Sequence, residues 1–234
     1  NRPDALNAFT PEMLKALIEA IKAFERDESV GVIILQGEGR AFSAGVDLKI
    51  LQSTSPVAGR ISSAFDDMAQ AAAEVVRKSS LPVIAKVHGF CFTGALELAL
   101  HCDFILTTAD TKFGDTHVKW GLRPTWGMSQ NLARAIGVRR ARELSFTART
   151  FSGADAAAWG LANAAAADKA ALDALAMARA EGIAKASRGA VSAYKKLYRV
   201  HEENRALEDA LAEEIARDFP EITDSVERLK GFGA

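Results

Sequence analysis

The chain has 234 residues, 49% of them hydrophobic and 25% charged, with 29 lysines and arginines against 30 aspartates and glutamates for a formal net charge of -1. That balance allows a core large enough for one sizeable globular domain, and it excludes a global attraction to nucleic acid or an anionic membrane. Cys91 and Cys102 are the only cysteines; they build no disulfide framework and point to a reducing compartment, the cytoplasm, or the mitochondrial matrix in a eukaryote. No apolar stretch approaches the ~20 residues needed to span a bilayer. The start NRPDALNAFT has neither the charged nor the apolar region of a secretion signal and lacks a methionine, so it reads as the interior of a longer gene product.

Thr10 and Pro11 read as the N-cap and first residue of a helix, with Leu14, Leu17, Ile18, Ile21 and Phe24 on one face and an end near ERDES. VGVIILQ has the length and branching of a buried strand, and the glycine-rich loop GEGRAFSAGVD follows it. Beyond the polar QSTSPVAGR, Ile61, Phe65, Met68, Ala72 and Val75 mark a second amphipathic helix. LPVIAKV is then a second buried strand, feeding the loop HGFCFTG and a short helix. DFILTT is a third strand, so residues 11 to 108 alternate helix and strand as parallel α/β units do. From about Thr125 the pattern is mostly helical: Ser152 and Asp155 have capping-box spacing, the alanine runs read as helix filler, and the tail from Asp168 to Gly231 reads as three or four helices. Spacing alone gives an α/β core with a helical C-terminal extension.

In open α/β sheets ligands bind beyond the carboxyl ends of the strands, which singles out the loops after VIILQ and VIAKV. Both are rich in small residues, which let a ligand approach main-chain N–H donors. A dinucleotide fingerprint in GEGRAF fails, because Phe42 stands where the third glycine belongs and no clear helix begins there. His88, Cys91, His101 and Cys102 do not make a metal site either. If residues 94 to 102 are helical, His101 and Cys102 project about 100° apart and the other two lie beyond the opposite end, about 10 Å away, so these read as buried thiols and a surface histidine. Glu97 in FTGALELALHCDF has two readings. It pairs with His101 at i,i+4 on a solvated face, or it is buried, because Ala95, Leu96, Leu98, Ala99 and Leu100 surround nearly the whole helix. Gly94 lies one turn earlier on the same face, so that its N–H and the Glu97 carboxylate can meet at one ligand; the residues alone leave both readings open.

NRPDALNAFT, GRAFSAGVDLK, GFCFTGALELALHCDF, KFGDTHVKWGLRPTWG and AWGLAN occur in order and at suitable separations. Together they resemble the enoyl-CoA hydratase/isomerase (crotonase) superfamily, with strong motifs from Asn1 to about Asn163 and a looser match through the helical tail. The resemblance implies an α/β fold, a crotonase-like spiral of β-β-α units, with a core over 1–165 carrying the thioester site and a helical C-terminal trimerisation region over 166–234. It implies a homotrimer or dimer of trimers, an acyl-coenzyme A thioester as ligand, and no metal or redox cofactor, coenzyme A arriving as part of the substrate. By motif, the two N–H groups that hold the thioester oxygen fall on Ala44 and Gly94, with Gly45, Val46 and Asp47 completing the first loop. Such donors act by stabilising enolate charge more than the ground-state carbonyl. Glu97 matches the first of the two glutamates that bracket a water in the hydratases. Where the second stands, this chain has Asp115-Thr116-His117; His117 falls at the carboxylate's place, the alternatives being that Asp115 fills the role or that no residue does. Trp126 in RPTWG and Trp120 are candidates to narrow the acyl pocket, and Thr93 replaces a residue that is usually small. Asp47 reads as the cap of the helix LKIL; Lys49 is a candidate for a coenzyme A phosphate, and Lys230 and Phe232 for the nucleotide.

The expected activity is syn addition of water across the 2,3 double bond of a trans-2-enoyl-CoA, a hydro-lyase reaction, with Glu97 as general base and His117 as its partner. The alternatives are another reaction built on the same enolate, namely isomerisation, thioester hydrolysis or decarboxylation, or a non-catalytic acyl-CoA-binding protein. A serine protease on a related spiral is disfavoured, because Ser43, Ser62 and Ser63 lack a nucleophile context.

Overall fold

A computed structural model describes the chain except Ser55, residues 203–206, 217, 221 and 224–234, so Lys230 and Phe232 lie outside the described residues. The helices are α1 (Pro11–Arg26), α2 (Leu48–Ser53), α3 (Ser63–Lys78), α4 (Gly94–Ala99), α5 (Met128–Ile136), α6 (Val138–Thr147), α7 (Gly153–Ala158), α8 (Lys169–Ala184), α9 (Arg188–Glu202) and α10 (Leu207–Ala216). The strands are β1 (Ile33–Gln36), β2 (Val83–Val87), β3 (Phe90–Phe92), β4 (Phe104–Thr108), β5 (Lys112–Gly114), β6 (Phe151–Ser152) and β7 (Ala164–Ala166).

The first sheet has the order β1-β2-β4-β7, and every pair in it is parallel. Its central strands, β2 and β4, are buried along nearly their whole length because both faces are covered. On β2, Val83, Ala85 and Val87 join the main core with Ile105, while Ile84 and Leu106 turn to the opposite face and meet Leu172, Ala176 and Ala180 of α8. The start of the helical tail is thus one of the layers around the sheet. The second sheet, β3-β5-β6, pairs β3 with β5 in parallel and β5 with β6 antiparallel.

Local signals act as their chemistry requires. Thr10 and Ser62 accept N–H groups in the first turns of α1 and α3, and Ser152 with Asp155 forms a full reciprocal capping box at α7. Three short strands depart from the sequence expectations. Phe90–Phe92 sits inside what reads as a loop, Lys112–Gly114 follows DFILTT as a separate strand, and Ala164–Ala166 is an edge strand rather than helix filler. The last forms because Asn163 N–H bonds the Ile105 carbonyl and Asn163 Oδ1 accepts the Ile105 N–H, which draws the alanines alongside β4.

The turn between β2 and β3 brings the two ligand-facing loops together. A side chain on Gly89, at φ +66°, would sit 1.9 Å from the Arg40 carbonyl oxygen, so only glycine lets the segments approach. Phe42 N–H then bonds the His88 carbonyl, Ser43 N–H the Phe90 carbonyl, and Phe92 N–H the Ser43 carbonyl. The N-terminal segment fastens the same loop from behind. The buried Asn7 amide donates to the Glu38 and Ala41 carbonyls at 2.8 Å, and Arg2 reaches Asp47 at 2.7 Å.

α9 is tied to the sheet by Lys195, whose buried ammonium donates to the Leu81 carbonyl at 2.9 Å and to Asp103 at 2.7 Å, while Asp103 also caps the Val83 N–H. Lys195→Met keeps the stem and removes the charge, and leaves the Leu81 carbonyl and Asp103 without that donor. It is expected to cost about 2 kcal/mol in urea denaturation. A loss below about 0.5 kcal/mol would show that this contact does not anchor the helix.

Candidate active site

The two loops, the N-terminus of α4 and the segment from Thr116 to Trp126 enclose a cavity of about 540 Å³. Ala44, Val46, Asp47, Gly94, Glu97, His117, Trp120 and Trp126 all line it, so the structure brings these sequence-derived candidates to one place. Gly45 packs against the start of α4, where a side chain would stand 2.8 Å from the Phe92 carbonyl oxygen and 3.7 Å from Gly94 N.

The main-chain donors differ from expectation at one position. The Ala44 N–H is engaged by the Leu6 carbonyl at 3.0 Å, so it has no proton left for a ligand. Around it, Gly45 N–H bonds the Ser43 hydroxyl, Gly45 carbonyl accepts from Phe9, and Asp47 N–H reaches the Phe9 carbonyl. Among the described residues of these two loops, Arg40, Val46 and Gly94 line the cavity and have a main-chain N–H with no acceptor; Val46 and Gly94 stand on either side of the contact that Gly45 makes with the start of α4. Asp47 caps α2 through Lys49 N–H at 2.9 Å and holds Arg2. The Lys49 N–H and the Arg2 guanidinium keep its carboxyl below the ordinary range, a structural use of the charge.

Glu97 is buried at 1% exposure, and the solvated pair with His101 does not form. Its Oε1 accepts the N–H groups of Trp126 at 3.0 Å and Met128 at 3.2 Å, at the entry to α5. His101 instead donates through Nε2 to the Trp126 carbonyl at 2.7 Å, so the two side chains hold the Trp126 backbone on either side of its Cα. Burial pushes the Glu97 carboxyl up to about 7, against the opposing pull of His117 and of the two N–H donors. Its free oxygen, Oε2, lies 3.6 Å from Nε2 of His117, itself 5% exposed, and His117 Nδ1 is 2.7 Å from Asp115 Oδ1.

Trp126 is 5% exposed, with its ring against Phe9 and Phe65 and its indole N–H directed at Asp66, 3.4 Å away. Asp66 is fully buried and also accepts from the Thr125 hydroxyl at 3.0 Å. Trp120, by contrast, is 64% exposed and stands at the mouth. Thr93 holds φ +52°, an unfavourable value for a β-branched residue, with its N–H on the Gly114 carbonyl and its hydroxyl 2.7 Å from that of Thr116. Sequence reasoning did not single out Asp66, and weighed Asp115 only as an alternative to His117 in the second glutamate's role, not as its hydrogen-bond partner; a lone aspartate on an amphipathic helix carries no signal until its partners from residue 125 onward are known.

Among the described residues, no group of three or more histidine, cysteine, aspartate or glutamate side chains is placed to hold a metal ion. His88 is buried, not at the surface, with Nε2 donating to the Gly39 carbonyl at 2.9 Å, and burial pushes the Cys91 and Cys102 thiols well up. No described helix is long and apolar enough to cross a membrane.

The raised Glu97 carboxyl has a consequence for stability. In the unfolded chain it releases its proton near 4.5 and in the folded chain near 7, so stability falls as pH rises through that window. Urea denaturation at pH 5 and pH 8 is expected to show a decline in the wild type that is roughly 2–3 kcal/mol steeper than in Glu97→Gln. Equal declines in the two proteins would place the carboxyl in water.

The family model for enoyl-CoA hydratase/isomerase matches residues 1–233. A probable peroxisomal enoyl-CoA hydratase 1 of Arabidopsis thaliana is 41% identical over 149 residues, 63% of this chain, and the matching stretch spans only 53% of that relative's length. A probable enoyl-CoA hydratase of Rhizobium meliloti is 38% identical across the whole chain and 88% of its own length. The crystal structure of an enoyl-CoA hydratase from Bacillus anthracis superposes with a TM-score of 0.89 at 29% identity, covering 99% of this chain and 89% of that one. With a family match over nearly every residue and a shared crotonase fold, the chain belongs to the enoyl-CoA hydratase/isomerase family.

Proposed function

We propose that the protein is an enoyl-CoA hydratase that adds water across the 2,3 double bond of a trans-2-enoyl-CoA. The observation that carries this reading is a buried carboxylate and a buried imidazole facing each other across 3.6 Å, in a cavity also lined by Val46 and Gly94, whose main-chain N–H groups have no acceptor. The names of its relatives support the same activity.

In this reading the thioester oxygen accepts from Val46 N–H and Gly94 N–H, Val46 replacing Ala44 because the latter's hydrogen bond is already made. Charge develops on that oxygen as water adds at C3, and losing one donor of this kind typically costs on the order of 3 kcal/mol. A gap of 3.6 Å is too wide for a direct hydrogen bond, yet it lets one water oxygen lie about 2.8 Å from both Glu97 Oε2 and His117 Nε2. Ionised Glu97 takes a proton from that water as its oxygen bonds to C3. Cationic His117 delivers a proton from Nε2 to C2 of the enolate, leaving a 3-hydroxyacyl-CoA, a protonated Glu97 and a neutral His117. Passage of the proton from Glu97 to His117 across the gap restores the starting state. These steps use the chain's own groups, and coenzyme A belongs to the substrate.

The assembly in this reading is a homotrimer or dimer of trimers, held through the helical region after residue 166, whose α8 and α9 leave Met177, Tyr194 and Tyr198 exposed. Two free thiols without a disulfide fit a reducing compartment, cytoplasm or mitochondrial matrix. Light scattering is expected to return three or six chain masses; a monomer at micromolar concentration would remove the assembly from the reading.

A panel of trans-2-enoyl-CoA esters, followed by loss of enone absorbance and by mass of the products, tests the activity. Products 18 mass units heavier are expected, at a rate that Glu97→Gln lowers roughly 10³-fold. Undiminished hydration by Glu97→Gln would reject the mechanism. A shifted double bond, free coenzyme A or released CO₂ in place of hydration would move the protein to another reaction of the enolate.

A further inference from the structure

One buried carboxylate beside the cavity has no part in the water addition described above. Asp115 directly follows β5, two residues before His117, and is 3% exposed. Its Oδ1 lies 2.7 Å from His117 Nδ1 and accepts the His117 backbone N–H at 3.3 Å, with the Ser145 hydroxyl of α6 nearby. Burial opposes ionisation here, but the hydrogen bonds from His117 and the pull of the nearby Ser145 hydroxyl outweigh it and hold the carboxyl below its ordinary range. An ionised carboxylate only accepts, so the proton of a neutral His117 ring sits on Nδ1.

That arrangement decides what the other ring nitrogen presents. Nε2 faces Glu97 Oε2 across the 3.6 Å gap, as a lone pair when the ring is neutral and as an N–H when it is cationic. Turning the ring over would break the 2.7 Å bond and leave a buried anion without that donor, an arrangement that buried carboxylates avoid. Asp115 and Glu97 are the ionisable side chains that pair with this ring, one on each nitrogen.

We infer that Asp115 is a positioning residue of the reaction: it fixes the tautomer and the face of His117, so that Nε2 alone exchanges the proton with C2 and with Glu97. The inference rests on the hydratase reading, in which His117 supplies that proton. A purely structural Asp115 would steady the turn through the His117 backbone N–H, and a carboxamide would serve as well. The reaction, by contrast, needs the carboxylate, because the NH₂ group of an asparagine favours the opposite tautomer.

The test is Asp115→Asn alone and combined with His117→Gln. The single variant is expected to lower kcat for enoyl-CoA hydration by about 10²–10³-fold, with KM within about threefold and an unchanged urea midpoint. In the His117→Gln background the same change is expected to do nothing further, because its effect passes through the ring. A single variant with kcat within about threefold of wild type, or an equal loss in both backgrounds, overturns the inference. A second measurement needs no turnover. Long-range ¹H–¹⁵N spectra of the unliganded wild type, at a pH where the ring is neutral, are expected to place the His117 proton on Nδ1, and a proton on Nε2 overturns the inference. Should the wild type hydrate no enoyl-CoA while the spectra show Nδ1–H, the hydratase reading fails and the tautomer assignment stands.

Discussion

A carboxylate removed from water must be compensated locally, and the way Glu97 is compensated organises this site. Two main-chain N–H groups at the entry to α5 satisfy one of its oxygens and leave the other facing His117. Those donors are available only because residues 125–128 fold back over α4, and Asp66, His101 and Glu97 together hold that segment by its indole, its carbonyl and its N–H. Three side chains from two helices and the turn after α4 thus converge on one tryptophan. The result is a carboxyl poised near neutrality, able to give and take a proton at small cost.

The same economy holds at the oxyanion side. Ser43, Gly45 and Asp47 each engage their backbone or side-chain groups in fastening the loop, and Ala44 is drawn in with them through Leu6. What a tight loop leaves unbonded is informative, since a backbone donor without an acceptor is rare inside a folded chain. Here the amides of Val46 and Gly94 are left unbonded, in the cavity that holds the acid/base pair.

Much of the fold was legible because it follows from local rules. The period of Leu14, Ile21, Phe65 and Ala72 marks the helices that face the core, and the largely apolar runs of β1, β2 and β4 mark a parallel sheet covered on both sides. What escaped depends on distant partners. Ala164–Ala166 has no strand propensity of its own and extends only because β4 offers an edge and Asn163 sets the register. At the site, motif alone led to Ala44, one turn of backbone away from the amide that is left unbonded. Spacing left Glu97 either paired with His101 or buried, and tertiary folding decides for burial, giving Glu97 the N–H and His101 the carbonyl of Trp126. His117 was legible as a departure from the family pattern, but the carboxylate two residues before it gains meaning only when β5 turns both side chains inward.

The contact between Gly94 and Trp126 reaches beyond the reaction. A methyl group at position 94 would lie 2.5 Å from the indole, and that ring has little freedom to retreat, being packed against Phe9 and Phe65 and directed at Asp66. Substitutions at the two positions are therefore ordered in any evolutionary path. A smaller residue must first arise at 126 before anything but glycine is tolerated at 94, and once a larger residue is fixed at 94 the return of tryptophan is blocked. The bulk of this wall and the smallness of its neighbour form a ratchet, which sets the order in which the lineage is able to remodel this part of the cavity.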